Sequence, residues 1–85
     1  MQSIDLKAIE IRVKGLVQGV GFRPHVWHCA HQHDIVGEVF NDGQGVYITA
    51  IGTTDRLKKF LDAITDKAPS VARIDHVEQY AIALP

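Results

Sequence analysis

The sequence predicts an α+β fold, a ferredoxin-like βαββαβ sandwich of four antiparallel strands with two helices on one face. Three observations carry that reading. Ile9, Ile11 and Val13 alternate with Glu10, Arg12 and Lys14, the two-residue period of a half-buried strand. Leu57, Phe60, Leu61 and Ile64 recur at i, i+3, i+4, i+7, and Phe22, Val26, Cys29, Ala30 and His33 make a second stripe at helical spacing. Turn signals separate these runs: glycines at 15, 19 and 21, then Asp42-Gly43, Gly52-Thr53-Thr54-Asp55 and Pro69.

Taken in order, residues 1–7 read as a polar lead-in and Ile9 to Lys14 as the first strand. A glycine loop follows. Pro24 disfavours helical backbone at Arg23, so Arg23 is expected near the N-cap and Pro24 at the first helical position. Asp34 and its neighbours end this helix. Val36 to Asn41 reads as strand two, and Asp42-Gly43 as a two-residue hairpin or part of a turn reaching Gly45. Val46 to Ile51 is β-rich. Thr53 or Thr54 caps the second helix. Ala72 to about Ile82 forms the last strand, and Ile74 and Val77 fall out of strict alternation, which predicts a bulge.

A length of 85 residues suits one small domain, expected to span 1–85, and 46% hydrophobic content suits a packed core. Nine basic against ten acidic residues leave a net charge of −1, which argues against nucleic-acid binding. The lone Cys29 excludes an internal disulfide framework and fits a reducing compartment. No run approaches about 18 apolar residues, and Met1 to Asp5 has no secretory n-region. The chain is expected to be soluble and cytoplasmic, with no membrane partner.

Chemistry concentrates between Lys14 and Pro24, K-G-L-V-Q-G-V-G-F-R-P. Strand, glycine loop and helix start, in that order, place unpaired N–H groups where a helix N-terminus adds partial positive charge, and such a concavity holds phosphate-like anions. A guanidinium fork at Arg23 can hold two phosphate oxygens. The same residues also fit a tight strand-to-helix turn with a surface arginine. Ordinary nucleotide motifs fail here: no Lys-Ser/Thr follows Gly21, and the third glycine of G-x-G-x-x-G would be Pro24. A right-handed crossover makes strands one and two parallel with strand three between them, so their C-terminal ends lie roughly 10 Å apart at one sheet edge. Arg23 and Asn41 can therefore face one anion-sized space, although Asn41 also fits a plain turn residue before Asp-Gly.

Val17 to Arg23, V-Q-G-V-G-F-R, preceded by Gly15-Leu16 and followed by Gly37-Glu38-Val39-Phe40-Asn41, resembles the acylphosphatase motif. The variant F-R-P, the short N-D-G-x-G turn and P-S-V-A-R-I-D resemble one branch of that family, the N-terminal domains of HypF carbamoyltransferases of NiFe-hydrogenase maturation. The resemblance spans nearly the whole chain and implies a longer parent with further domains. It implies that loop amides at Leu16, Val17, Gln18, Gly19, Val20 and Gly21, with Arg23, hold a phosphoryl group, while Asn41 orients the attacking water. The implied substrate is an acyl phosphate, carbamoyl phosphate in the HypF branch, and inorganic phosphate or sulfate would occupy the same loop. A good leaving group makes positioning and charge stabilisation sufficient, without metal or cofactor. One departure stands out: acylphosphatases proper usually carry one more residue between this Asn and the following Asp-Gly, so the shorter turn could shift Asn41.

Other features compete. His25, Cys29 and His33 form an i, i+4 ladder that suggests zinc, but His28 and His31 point to other faces. Trp27 fits either a cover for the core margin or an interaction handle. Gln18 serves loop geometry or touches substrate. Arg73 and Asp75 alternate on the last strand and suit an ion pair. The rival readings are a stand-alone acylphosphatase, a non-catalytic small-anion-binding module, and an RNA-binding module, which would need a basic sheet with exposed aromatics.

Overall fold

The computed structural model describes residues 5–85. Its elements are β1 (Leu6–Leu16), α1 (Phe22–Gln32), β2 (Val36–Asp42), β3 (Gly45–Thr53), α2 (Thr54–Asp66) and β4 (Arg73–Ile82). They form one four-stranded sheet in the order β2-β3-β1-β4, with every neighbouring pair antiparallel. This is the ferredoxin-like α+β arrangement. Residues 1–4 of the supposed lead-in lie outside the described residues; β1 already begins at Leu6, where Leu6 pairs with Thr53.

Alternation along the strands supplies the sheet side of the core. Ile11 and Val13 on β1, and Val46, Ile48 and Ala50 on β3, are all at most 2% exposed. Phe22, Val26 and Cys29 of α1 and Leu57, Phe60, Ala63 and Ile64 of α2 close over them. The stripe on α2 differs from expectation at one place, for Ala63 is buried and Leu61 only partly so. α2 turns this face toward α1, where His25 Nε2 lies 3.0 Å from Ile64 O. A small side chain suits such a close helix approach.

Three local features depart from, or refine, the sequence reading. α1 starts at Phe22 with Gly21 as its N-cap at φ 80°, so Arg23 and Pro24 are the second and third helical residues. Proline is tolerated there because the first-turn N–H groups have no intrahelical acceptor, and the left-handed Gly21 sets the turn into the helix. The hairpin closes through Gly43-Gln44, since Asp42 pairs with Gly45. The bulge in β4 is present: Lys14 pairs with His76 and Gly15 with Ile74, leaving Asp75 as the extra residue. Thr53 caps α2, its hydroxyl accepting from Arg56 N–H at 3.2 Å.

Candidate active site at the β1–α1 loop

The loop is pinned from beneath. Val17 is 2% exposed and Val20 packs against the core, while Leu16, Gln18, Gly19 and Gly21 stay at the surface. Gly19 and Gly21 both take left-handed backbone, at φ 73° and 80°, and a side chain there would be strained. His25 N–H donates to Gly21 O at 3.2 Å, closing the first helical turn. The N–H groups of Phe22 and Arg23 precede that bond and so have no acceptor within the helix. Among the described residues no side chain caps them, and the first turn holds no acidic residue. The helix N-terminus is thus left electropositive and free for an anion. Arg23 is exposed there, and none of the ion pairs among the described residues uses it.

The second wall is the end of β2. Val13, Val46 and Asn41 lie level across three strands, so Asn41 stands two strand spacings from β1, roughly 10 Å. Its exposed side chain shares the helix-side face with buried Val13 and Val46. The hairpin beyond it is fastened to β1 and to the loop. Gln18 Nε2 donates to Asp42 O at 2.9 Å and to Gly45 O at 3.3 Å. Arg12 Nη1 donates to Asp42 Oδ2 at 3.2 Å and to Gln44 Oε1 at 3.3 Å. Inside the turn, Gln44 N–H donates to Asp42 Oδ1 at 2.8 Å. A Cβ at Gly45 would collide with Val13 O, so only glycine lets the short turn lie this close to β1. With that turn, Asn41 remains an ordinary paired residue of β2.

Gln18 therefore acts as a tie between loop and hairpin, the geometric alternative of the two open from sequence. Arg12 was not singled out by sequence. Its place on the polar face of β1 was legible, but its partners Asp42 and Gln44 are 30 and 32 residues away and appear only through the strand register.

Residues 9–85 match the acylphosphatase family model. The chain belongs to the acylphosphatase family. It is 48% identical over 73 residues to a carbamoyltransferase HypF from Rhodobacter capsulatus, covering 86% of this chain and 10% of that protein. It is 46% identical over 71 residues to an acylphosphatase from Listeria monocytogenes, covering 82% of this chain and 76% of the relative. Among solved structures, full-length HypF in its phosphate- and nucleotide-bound form superposes with a TM-score of 0.94 at 31% identity, over 98% of this chain and 11% of that one. An acylphosphatase from Coxiella burnetii gives 0.89 at 26% identity, over 100% and 92%. The chain thus spans about a tenth of its HypF relatives and most of the stand-alone acylphosphatase.

Elsewhere on this acylphosphatase domain, the histidines of α1 disperse. His25 turns inward to Ile64 O and lies 3.8 Å from Cys29 Sγ. His28 pairs with Gln32, and His31 packs on Trp27 with ring centroids 4.0 Å apart. Burial raises the Cys29 thiol pKa, opposed in part by the Lys67 charge. Trp27 is 59% exposed, so it covers little of the core margin. The helix-free sheet face carries a stacked aromatic pair: Phe40 lies on Tyr47 with ring centroids 4.9 Å apart, and Arg12 sits over the Tyr47 ring. Tyr80 Oη donates to Glu78 at 3.1 Å, which raises the phenol pKa and lowers that of the carboxyl. Acidic Glu10, Glu78 and Asp42 interleave with this face, unlike a basic nucleic-acid platform. Arg73 and Asp75 form the anticipated pair, at 2.9 Å. Among the described residues no helix is long and apolar enough to cross a membrane.

Proposed function

We propose that this domain hydrolyses acyl phosphates at the space between the β1–α1 loop and Asn41. In a HypF-type parent, the acyl phosphate would be carbamoyl phosphate, processed for NiFe-hydrogenase maturation. The observation that carries the reading is the uncapped helix start beside Arg23, tied through Gln18 to the hairpin that bears Asn41. The 48% identity to a HypF and the match to a HypF structure named as phosphate-bound support it.

In this reading, the backbone N–H groups of residues 16–21 and the Arg23 guanidinium bind the phosphoryl oxygens. Negative charge is favoured there by the helix N-terminus. The Asn41 side-chain amide holds a water in line with phosphorus. Water attacks phosphorus, the bond from phosphorus to the bridging oxygen breaks, and the carboxylate departs with that oxygen. Inorganic phosphate remains in the loop until release. The carboxylate is a good leaving group, so orientation and fixed positive charge carry the rate. No residue needs a perturbed pKa, and the lone buried Cys29 takes no part. A working place in the cytoplasm accords with a single reduced cysteine.

The test is phosphate release from acetyl and carbamoyl phosphate by the wild type, Arg23→Ala and Asn41→Ala. Arg23→Ala should lower the rate by about 10²–10³ and weaken inhibition by phosphate. Asn41→Ala should lower kcat while leaving the phosphate inhibition constant nearly unchanged. Equal, small effects from both would place the chemistry elsewhere. A wild type that binds phosphate but turns over no acyl phosphate would support the anion-binding module instead.

A further inference from the structure

The hairpin that carries Asn41 is clamped from the sheet face away from the helices. Arg12, Tyr47 and Phe40 lie level across β1, β3 and β2. Arg12 Cζ stands 5.2 Å from the centre of the Tyr47 ring, on which Phe40 also stacks. Arg12 Nη1 reaches past β3 and donates to Asp42 Oδ2 at 3.2 Å and to Gln44 Oε1 at 3.3 Å. We propose that Arg12 is a positioning residue for the reaction: through Asp42 and Gln44 it fixes the direction in which Asn41 presents its side-chain amide. The proposal rests on the hydrolytic reading above and adds to it a residue that acts from the opposite face of the sheet, without touching substrate.

Successive side chains of a strand point to opposite faces. Asn41 lies between Phe40 and Asp42 in sequence, and both neighbours are held on the far face, Phe40 by Tyr47 and Asp42 by Arg12. Holding those two side chains there turns Asn41 to the helix side, level with buried Val46 and, one strand further, Val13. A slip of one residue would carry Asn41 to the face away from the phosphoryl space. The sheet by itself resists such a shift only weakly. β2 is an edge strand with a single neighbour, and Asn41 is its next-to-last residue. Local opening is easiest at such strand ends.

The turn passes any movement straight to Asn41, because only Gly43 and Gln44 separate Asp42 from Gly45. Within it, Gln44 N–H donates to Asp42 Oδ1 at 2.8 Å, so Arg12, Asp42 and Gln44 close one ring of three polar contacts. The anchor is firm, since β1 is paired on both sides, with β3 and with β4. The Arg12 and Asp42 side chains are 25% and 30% exposed, so solvent screens their attraction only in part. Gln18 and Arg12 divide the work between them. Gln18 grips the backbone oxygens of Asp42 and Gly45 from the β1–α1 loop and so joins the hairpin to the anion cradle. Both hydrogen bonds of Arg12 among the described residues go to side chains of the turn and neither goes to that loop. Losing Arg12 should therefore leave the anion bound and misplace the water.

The experiment compares wild type, Arg12→Met, Arg12→Lys, Asn41→Ala and the double variant Arg12→Met with Asn41→Ala. Turnover of acetyl phosphate, inhibition by inorganic phosphate and melting curves would be measured for each. Methionine keeps a stem that can lie on Tyr47 but removes the charge and the donors. Arg12→Met should lower kcat about tenfold, because a small misplacement of a positioned group costs at least that much. Its phosphate inhibition constant should stay within about twofold of wild type, a split that a general loosening of the fold would not give. Arg12→Lys, which retains charge and a donor, should recover part of the lost kcat. The double variant should be no slower than Asn41→Ala alone, since a residue acting only through Asn41 then has nothing left to position. Should Arg12→Met not fold, Asp42→Asn removes the anionic partner and should show the same split between kcat and phosphate affinity. Additive losses in the double variant, an unchanged kcat in Arg12→Met, or a parallel fall in kcat and phosphate affinity would overturn the positioning role while leaving acyl phosphate hydrolysis intact. No turnover of acetyl phosphate by the wild type would instead refute the hydrolytic reading and the role of Arg12 with it.

Discussion

Gln18→Met isolates the tie between the β1–α1 loop and the hairpin. The substitution keeps length and volume but removes the donor that reaches Asp42 O at 2.9 Å and Gly45 O at 3.3 Å. An intramolecular hydrogen bond contributes about 0.5–1.5 kcal/mol net. The first bond has good length and the second is long and in a half-exposed place, so their loss should cost about 1–2 kcal/mol. None of this is core packing, because Gln18 is exposed. The cost therefore falls on the local opening of the loop rather than on global unfolding. In the proposed reading phosphate binds only the closed loop, so its affinity should fall by a factor of up to about 5–30, while the urea midpoint changes little. Isothermal titration with phosphate, alongside urea melts and turnover of acetyl phosphate, measures both quantities. A large fall in global stability with unchanged phosphate affinity would refute the reasoning, for Gln18 would then support the fold and not the site.

Phosphate should raise the melting temperature beyond chloride at equal ionic strength, since an anion held only by the folded state adds about 1.4 kcal/mol at ten times its Kd; calorimetric melts in a phosphate series check this. Phe60→Ala removes a side chain that is 1% exposed and should cost about 3–5 kcal/mol, seen as a fall of more than roughly 10 °C in Tm. Burial holds the Cys29 thiol above its ordinary pKa of 9.0, so the folded state binds its proton more tightly than the unfolded chain does. That contribution is fully present below the ordinary value and is lost as pH rises through it and beyond. Urea melts between pH 7 and 10 should show an alkaline decline that is smaller in Cys29→Ala, and the native thiol should react slowly with a disulfide reagent.

Periodicity and turn signals determined the two helices, the strands and their sequence along the chain, because Ile9-Ile11-Val13 and Leu57-Phe60-Ile64 each bury one face at a fixed spacing. The glycine loop and Arg23 were legible as a possible anion cradle because left-handed glycines before a helix leave N–H groups uncapped. Even the β4 bulge showed, as a break in alternation at Ile74 and Val77. Local rules failed where two of them competed at the start of α1. Pro24 argued for a later start, but Gly21 turned the chain earlier and the first-turn proline cost nothing. The ties of Gln18 and Arg12 to the hairpin and the exposure of Trp27 were decided by tertiary structure. Each depends on which residues of distant segments come level with one another, as Val13, Val46 and Asn41 do across the sheet. A sequence records the period of each element, whereas register and crossover bring separate elements together, and a site made from three of them exists only once they are packed.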